Sequence, residues 1–105
     1  MNFEKLLRPD SIAVVGASNN PVKVGYAVLQ NILNGEFGGA IYPINPKEKI
    51  ILGKKCYNSV NEVPHKIDLA LLVVKRDIIV PIINECANKS VSAVIIITAG
   101  FSEAD

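Results

Sequence analysis

Tryptophan is absent from the 105-residue sequence, and three phenylalanines and three tyrosines are its whole aromatic content. So few aromatics argue against a stacking platform for single-stranded nucleic acid. Net charge is also scarce: eleven Lys and Arg against ten Asp and Glu leave +1, too little to hold a nucleic acid mainly by charge. The longest strongly apolar runs, "LALLVV" and "AVIIIT", fall far short of the roughly 20 residues of a membrane-spanning helix. The opening "MNFEKLLRPD" lacks the apolar core of a signal peptide. Neither nucleic acid nor membrane is therefore an expected partner. One histidine and two distant cysteines offer no short Cys/His spacing for a metal. Cys56 and Cys86 read as reduced thiols of a cytoplasmic protein.

Half of the residues are hydrophobic, enough for a single core in one domain over 1–105. "FEKLLR" (3–8) predicts one or two helical turns, ended by Pro9. "SIAVV" (11–15) predicts a strand apolar on both faces from Ile12 on, stopped by Gly16, as in the inside of a parallel sheet. Val24, Ala27, Val28, Ile32 and Leu33 repeat at helical spacing, and Asn34 and Gly35 supply a stop. "AIYPIN" (40–45) predicts a second strand, and "KIILGKKCY" an extended piece turning at Gly53. Ser59 and Glu62 have the spacing of a capping box. "DLALLVV" (68–74) and "AVIIITAG" (93–100) predict two further strands around a helix over 78–88. That helix should bury Ile79, Ile82, Ile83, Cys86 and Ala87, with Pro81 in its first turn. Alternating strands and helices predict an α/β fold: a Rossmann-like, doubly wound, mostly parallel sheet with helices on both faces. The sequence stops directly after a strand, so a longer chain continuing into another helix is expected.

Ligands of such sheets bind beyond the carboxyl ends of the strands. At the first end Gly16 allows a sharp turn, Gly25 permits close approach at the helix start, and Ser18 and Asn19 offer polar groups. A helix start there favours an anion. Yet the glycine spacing is neither G-x-G-x-x-G nor G-x-x-x-x-G-K-[ST], and Lys23 precedes Gly25. A well-capped turn without a ligand is the competing reading. At the second end, NAD-binding proteins place an acid for the ribose hydroxyls. Here "YPINPKEK" has Asn45 and then Lys47, which suits a phosphorylated ribose, as in NADP or the 3′-phosphate of coenzyme A. A solvated surface lysine is the plain alternative. No catalytic constellation accompanies these ends. His65 falls in a polar turn and reads as a surface residue, Cys86 as core, and Cys56, after two lysines that would lower its pKa, as a surface thiol.

The segments "LLRPDSIAVVGASNNPVKVGYAVLQNIL", "GAIYPINPK", "ILGKKCYNSVNEVPHKIDLALLVV" and "VIIITAGFSE" resemble, in order and spacing, one known family over nearly the whole chain. It is the N-terminal CoA-binding domain of the NDP-forming acyl-CoA synthetases, including ADP-forming acetyl-CoA synthetase and, more distantly, the succinyl-CoA synthetase α subunit. The resemblance implies coenzyme A as cofactor, with Gly16, Ala17, Ser18, Asn19, Asn20, Pro21 and Lys23 around its phosphates. It implies contacts from Lys47, from Val73 and Val74 along pantetheine and adenine, and from Ile97, Thr98 and Ala99. It further implies a cytoplasmic ligase that joins a carboxylic acid to CoA through an acyl phosphate and a phosphohistidine. The remaining domains or subunit, including an ATP-grasp unit, would supply that chemistry, and His65 matches no catalytic position. On this reading the chain has no turnover alone. An NADP-binding domain or a stand-alone CoA-binding regulatory module is the alternative.

Overall fold

A computed structural model describes residues 2–97. Its central sheet has four parallel strands, β1 (Ser11–Val15), β2 (Ala40–Ile44), β5 (Leu69–Leu72) and β6 (Ala93–Ile96), in the order β2–β1–β5–β6. A short antiparallel ribbon, β3 (Ile50–Ile51) and β4 (Lys54–Lys55), follows β2. Among the described residues three α-helices accompany the sheet: α1 (Phe3–Leu7), α2 (Val24–Asn34) and α3 (Ile79–Asn88).

Strand β1 is buried from end to end, because it has a strand on each edge and a layer on each face. Its side chains alternate between two cores. Ala13 and Val15 join Ala70, Leu72, Val60 and Cys86 on the α3 face. Ile12 and Val14 join Leu69 and Leu29 on the α2 face. Helices thus cover both faces, and the sheet is doubly wound as the pattern predicts.

Helix α2 corrects one expectation. Ala27 is exposed, and Gly25 and Leu29 are the buried residues. The phase is set at the helix start, where Gly25 packs against the backbone of Gly16 and Ala17; Leu29, one turn on, then faces β1. In α3, Cys86 is buried and Ile82 half-buried, whereas Ile83 and Ala87 are exposed. Each lies about 100° further round the helix than the residue before it, which carries it off the sheet. Pro81 does sit in the first turn.

Two local predictions differ in detail. Ser59 makes no side-chain cap, because the segment is a single 3₁₀ turn, Val60–Glu62, and the Glu62 N–H already donates to the Ser59 carbonyl at 3.1 Å. The 50–57 piece is a hairpin whose two turn residues, Leu52 (φ 50°) and Gly53 (φ 78°), are both left-handed, the backbone of a tight primed turn. Strand β6 ends at Ile96. Ile97 is already outside the strand, and the rest of the expected continuation, 98–100, lies outside the described residues. Among the described residues, no helix is long and apolar enough to cross a membrane.

Candidate functional site

In sequence order the chain leaves β1 for β2 on one side, then returns to place β5 on the other. The strand order therefore reverses between β1 and β5, and a crevice opens beyond their carboxyl ends. A cleft of about 400 Å³ lies there, within the usual range of ligand pockets.

Its floor is backbone stacked on backbone. Gly16 follows β1 with φ +93°, a conformation glycine adopts without steric cost. A Cβ on Gly16 would overlap the Val73 carbonyl, and one on Gly25 would overlap the Gly16 carbonyl. Three segments, the end of β5, the turn after β1 and the start of α2, thus meet with no side chain between them. The Gly16 N–H donates to the Ile44 carbonyl at 3.0 Å, and the Val73 N–H to the Val15 carbonyl at 2.8 Å. The turn is fixed on both edges.

The walls carry the charge. Lys23 stands at the N-cap position of α2, Lys47 two residues beyond Asn45, and Lys75 at the N-cap of the 3₁₀ turn Arg76–Ile78. With Gly16, Ser18, Gly25, Asn45, Pro46, Val73, Val74 and Ile78 they line the cleft, and among the described residues no carboxylate joins that lining. Such a site attracts polyanions through local field even though the chain is nearly neutral.

The loop after β1 is held by its own side chains. The Ser18 hydroxyl accepts from the Asn20 N–H at 2.9 Å, and Asn20 Oδ1 accepts from the Val22 N–H at 3.0 Å. Asn19 reaches the hairpin, donating to the Ile50 carbonyl at 2.9 Å and accepting from the Leu52 N–H at 3.1 Å. That second bond ties down the one turn position where a branched side chain tolerates positive φ poorly. Asn45 straps the other side. Its Nδ2 donates to the Ala17 carbonyl at 2.9 Å, and its Oδ1 accepts from the Lys47 N–H at 2.8 Å.

Of the residues expected around a ligand, the structure gathers Gly16, Ser18, Lys23, Lys47, Val73 and Val74 at the cleft. Ala17 is buried beneath it, while Asn19, Asn20 and Pro21 are exposed and outside its lining. Ile97 is half-buried just past β6, its N–H bonded to the Leu72 carbonyl at 2.9 Å. Thr98 and Ala99 lie outside the described residues. Gly25, Asn45, Pro46 and Lys75, which fall at the strand ends and helix start where a ligand is expected though not among the named contacts, also line the cleft, and Ile78 joins them without any sequence signal. For Asn45 and Lys75 a signal existed, since each immediately follows a strand or its last extended residues.

Neither thiol has the character of a nucleophile. Cys56 is buried, contrary to the surface placement expected, because the hairpin folds over it. Burial raises its pKa, reversing the lowering expected from the two preceding lysines. Cys86 lies in the α3 core with its pKa pushed up to about 11, first by burial and then by the charge of Glu85. His65 is exposed, its ring stacked 6.0 Å from that of Tyr42, and the cleft lining does not include it. Among the described residues no group of three or more His, Cys, Asp or Glu gathers where a metal could be held.

Comparison with known proteins identifies relatives of this arrangement. The model of the CoA binding domain family matches residues 10–104. The ADP-forming 4-hydroxybutyrate–CoA ligase of Nitrosopumilus maritimus is 47% identical over 105 residues, covering 100% of this chain and 15% of its own. The ADP-forming acetate–CoA ligase of Methanocaldococcus jannaschii is 50% identical over 95 residues, covering 90% of this chain and 13% of its own. The chain thus spans about one seventh of the length of these relatives. Among solved structures, the dinucleotide-forming acetyl-coenzyme A synthetase 1 of Ca. Korarchaeum cryptofilum, in complex with phosphate and ADP, superposes with a TM-score of 0.90. It is 42% identical, and the match covers 95% of this chain and 22% of that one. A crevice at the strand-order reversal, a glycine turn and a lysine-bearing rim therefore occur in a chain that belongs to the CoA binding domain family.

Proposed function

We propose that this chain is the CoA-holding domain of an ADP-forming acyl-CoA ligase and seats the cofactor in the cleft between β1 and β5. The glycine turn, Ser18 and Lys23 face the diphosphate, Lys47 takes the ribose 3′-phosphate, and Val73 and Val74 pack along the apolar parts of the ligand. The observation that carries this reading is Lys47 on the cleft rim, directly after β2, where an NAD site would place an acid. An acid for free ribose hydroxyls is the mark of NAD; a lysine is the counterpart of a phosphorylated ribose.

The ligase reaction joins a carboxylate to the CoA thiol while a nucleoside triphosphate is cleaved. Among its described residues the cleft presents no acid–base pair or activated nucleophile for those steps, and the remaining domains or subunits, an ATP-grasp unit among them, perform them. This domain contributes a high local concentration and a fixed orientation of the thiol. The free thiols of Cys56 and Cys86 support a reducing, cytoplasmic setting. Isothermal titration with CoA and NADPH tests the reading. Saturable CoA binding with none of NADPH is expected, and NADPH binding without CoA binding would replace it with an NADP-binding domain.

A further inference from the structure

An exposed lysine selects a ligand only when its backbone is fixed relative to the ligand's other anchor. Strand β2 holds its partners through Ile44, which is paired with Val15. Beyond it the ladder ends and Pro46 has no N–H to donate. Among the described residues, the hydrogen bond that ties Lys47 to the rest of the protein is its N–H to Asn45 Oδ1, at 2.8 Å. The same amide donates through Nδ2 to the Ala17 carbonyl, at 2.9 Å, inside the glycine turn. Asn45 is itself immobilised from behind: its N–H donates to the Tyr57 carbonyl at 2.9 Å, and its carbonyl accepts from Cys56 Sγ at 3.5 Å. One side chain therefore spans the two walls of the cleft, and its backbone is clamped by the segment after β4.

We propose that Asn45 is a positioning residue that sets the preference for a 3′-phosphorylated ligand by fixing Lys47 at a set distance from the glycine turn. The inference rests on the reading of the cleft as a CoA site. It goes further in placing discrimination in the pair Asn45–Lys47. A lysine released from Asn45 keeps its charge but samples many positions, and its contact with the 3′-phosphate then costs more ordering entropy. The donor arm to Ala17 acts differently, since it shapes the turn that every CoA-like ligand uses.

The test compares CoA with dephospho-CoA by isothermal titration of the wild-type chain, Lys47→Ala, Asn45→Ala and Asn45→Ser. One charge-assisted contact predicts a wild-type preference for CoA of about tenfold or more. Lys47→Ala should bring that ratio near one while leaving dephospho-CoA affinity almost unchanged. Asn45→Ala should also bring the ratio near one, and should in addition weaken dephospho-CoA. A serine closes the same short turn onto the Lys47 N–H but does not reach Ala17. Asn45→Ser should therefore weaken both ligands and keep most of the ratio, which a general loosening of the loops would not do. A wild-type ratio in Asn45→Ala, or equal loss of the ratio in Asn45→Ala and Asn45→Ser, overturns the inference alone. A ratio insensitive to Lys47→Ala overturns the role of Lys47 and the inference with it, and absence of binding by the wild type overturns the CoA reading itself.

Discussion

The two ends of the sheet use similar polar residues to opposite effect. At the amino end, Asp68 is 4% exposed and accepts from the Asp10 N–H at 2.8 Å, with the Lys5 ammonium 3.6 Å away. Ser11 donates to the Lys66 carbonyl at 2.9 Å and accepts from the Asp68 N–H at 2.8 Å. Lys5 in turn bonds Asp10 at 3.0 Å, and that contact holds its pKa above the ordinary lysine value. These groups satisfy one another and close the end of the sheet. At the carboxyl end, the Asn45 side-chain amide ties the turn after β1 to the segment after β2, and Lys23, Lys47 and Lys75 line an open cleft. Polar groups closed on one another mark structure, whereas lysines placed along the rim of a cleft mark a binding site for an anion.

The contrast breaks first at Gly16. Gly16→Ala combines a positive φ with overlap on the Val73 carbonyl and should cost about 3 kcal/mol, with loss of CoA binding, read by thermal melting and titration. Next, Asp68→Ala should cost about 2 kcal/mol by orphaning the Asp10 N–H, yet leave CoA affinity of the folded protein within about twofold. A large change in affinity would mean that the two ends are coupled. Lys47→Ala is the mirror case: CoA affinity should fall about tenfold while the melting temperature hardly moves, as for an exposed side chain.

The smallest effect is a pH slope. Cys86 has a folded pKa raised from 9.0 to about 11, so its contribution to stability is complete below pH 9 and disappears as pH rises through 11. Between those values the wild-type chain should lose stability more steeply than Cys86→Ala, in denaturant titrations at matched ionic strength. Equal slopes would show that the thiol ionises as readily in the folded protein as in the unfolded chain.

Much of the framework was legible in the sequence because each strand of the central sheet lies in a short apolar run stopped by Gly, Pro or a polar residue. Ser11–Val15 and Leu69–Leu72 need no tertiary information to be read as inner strands. The phase of α2 was legible only in part: Val28, Ile32 and Leu33 pack against the core as their spacing predicts, but the burial of Leu29 was hidden. It depends on contact between Gly25 and Gly16 backbones, and apolar periodicity alone does not favour Leu29 over Ala27. The burial of Cys56 was hidden for a related reason: two preceding lysines suggest a surface, but the hairpin turns its inner face onto the α2 core. At the site, glycine and lysine positions were readable as strand-end features. The double duty of Asn45 and the turning of Asn19 toward the hairpin were not, since both bonds join segments about 30 residues apart.

Coenzyme A should enter the carboxyl-end cleft and leave the amino end of the sheet untouched. A titration of the ¹⁵N-labelled chain with CoA, followed by amide chemical shifts, tests it most directly. A CoA site in the cleft requires that the shifts concentrate on Gly16, Ser18, Gly25, Asn45, Lys47 and Val74, with Asp10, Ser11 and Asp68 unmoved. Shifts centred on Asp10 and Asp68, or none at saturating CoA, would contradict it.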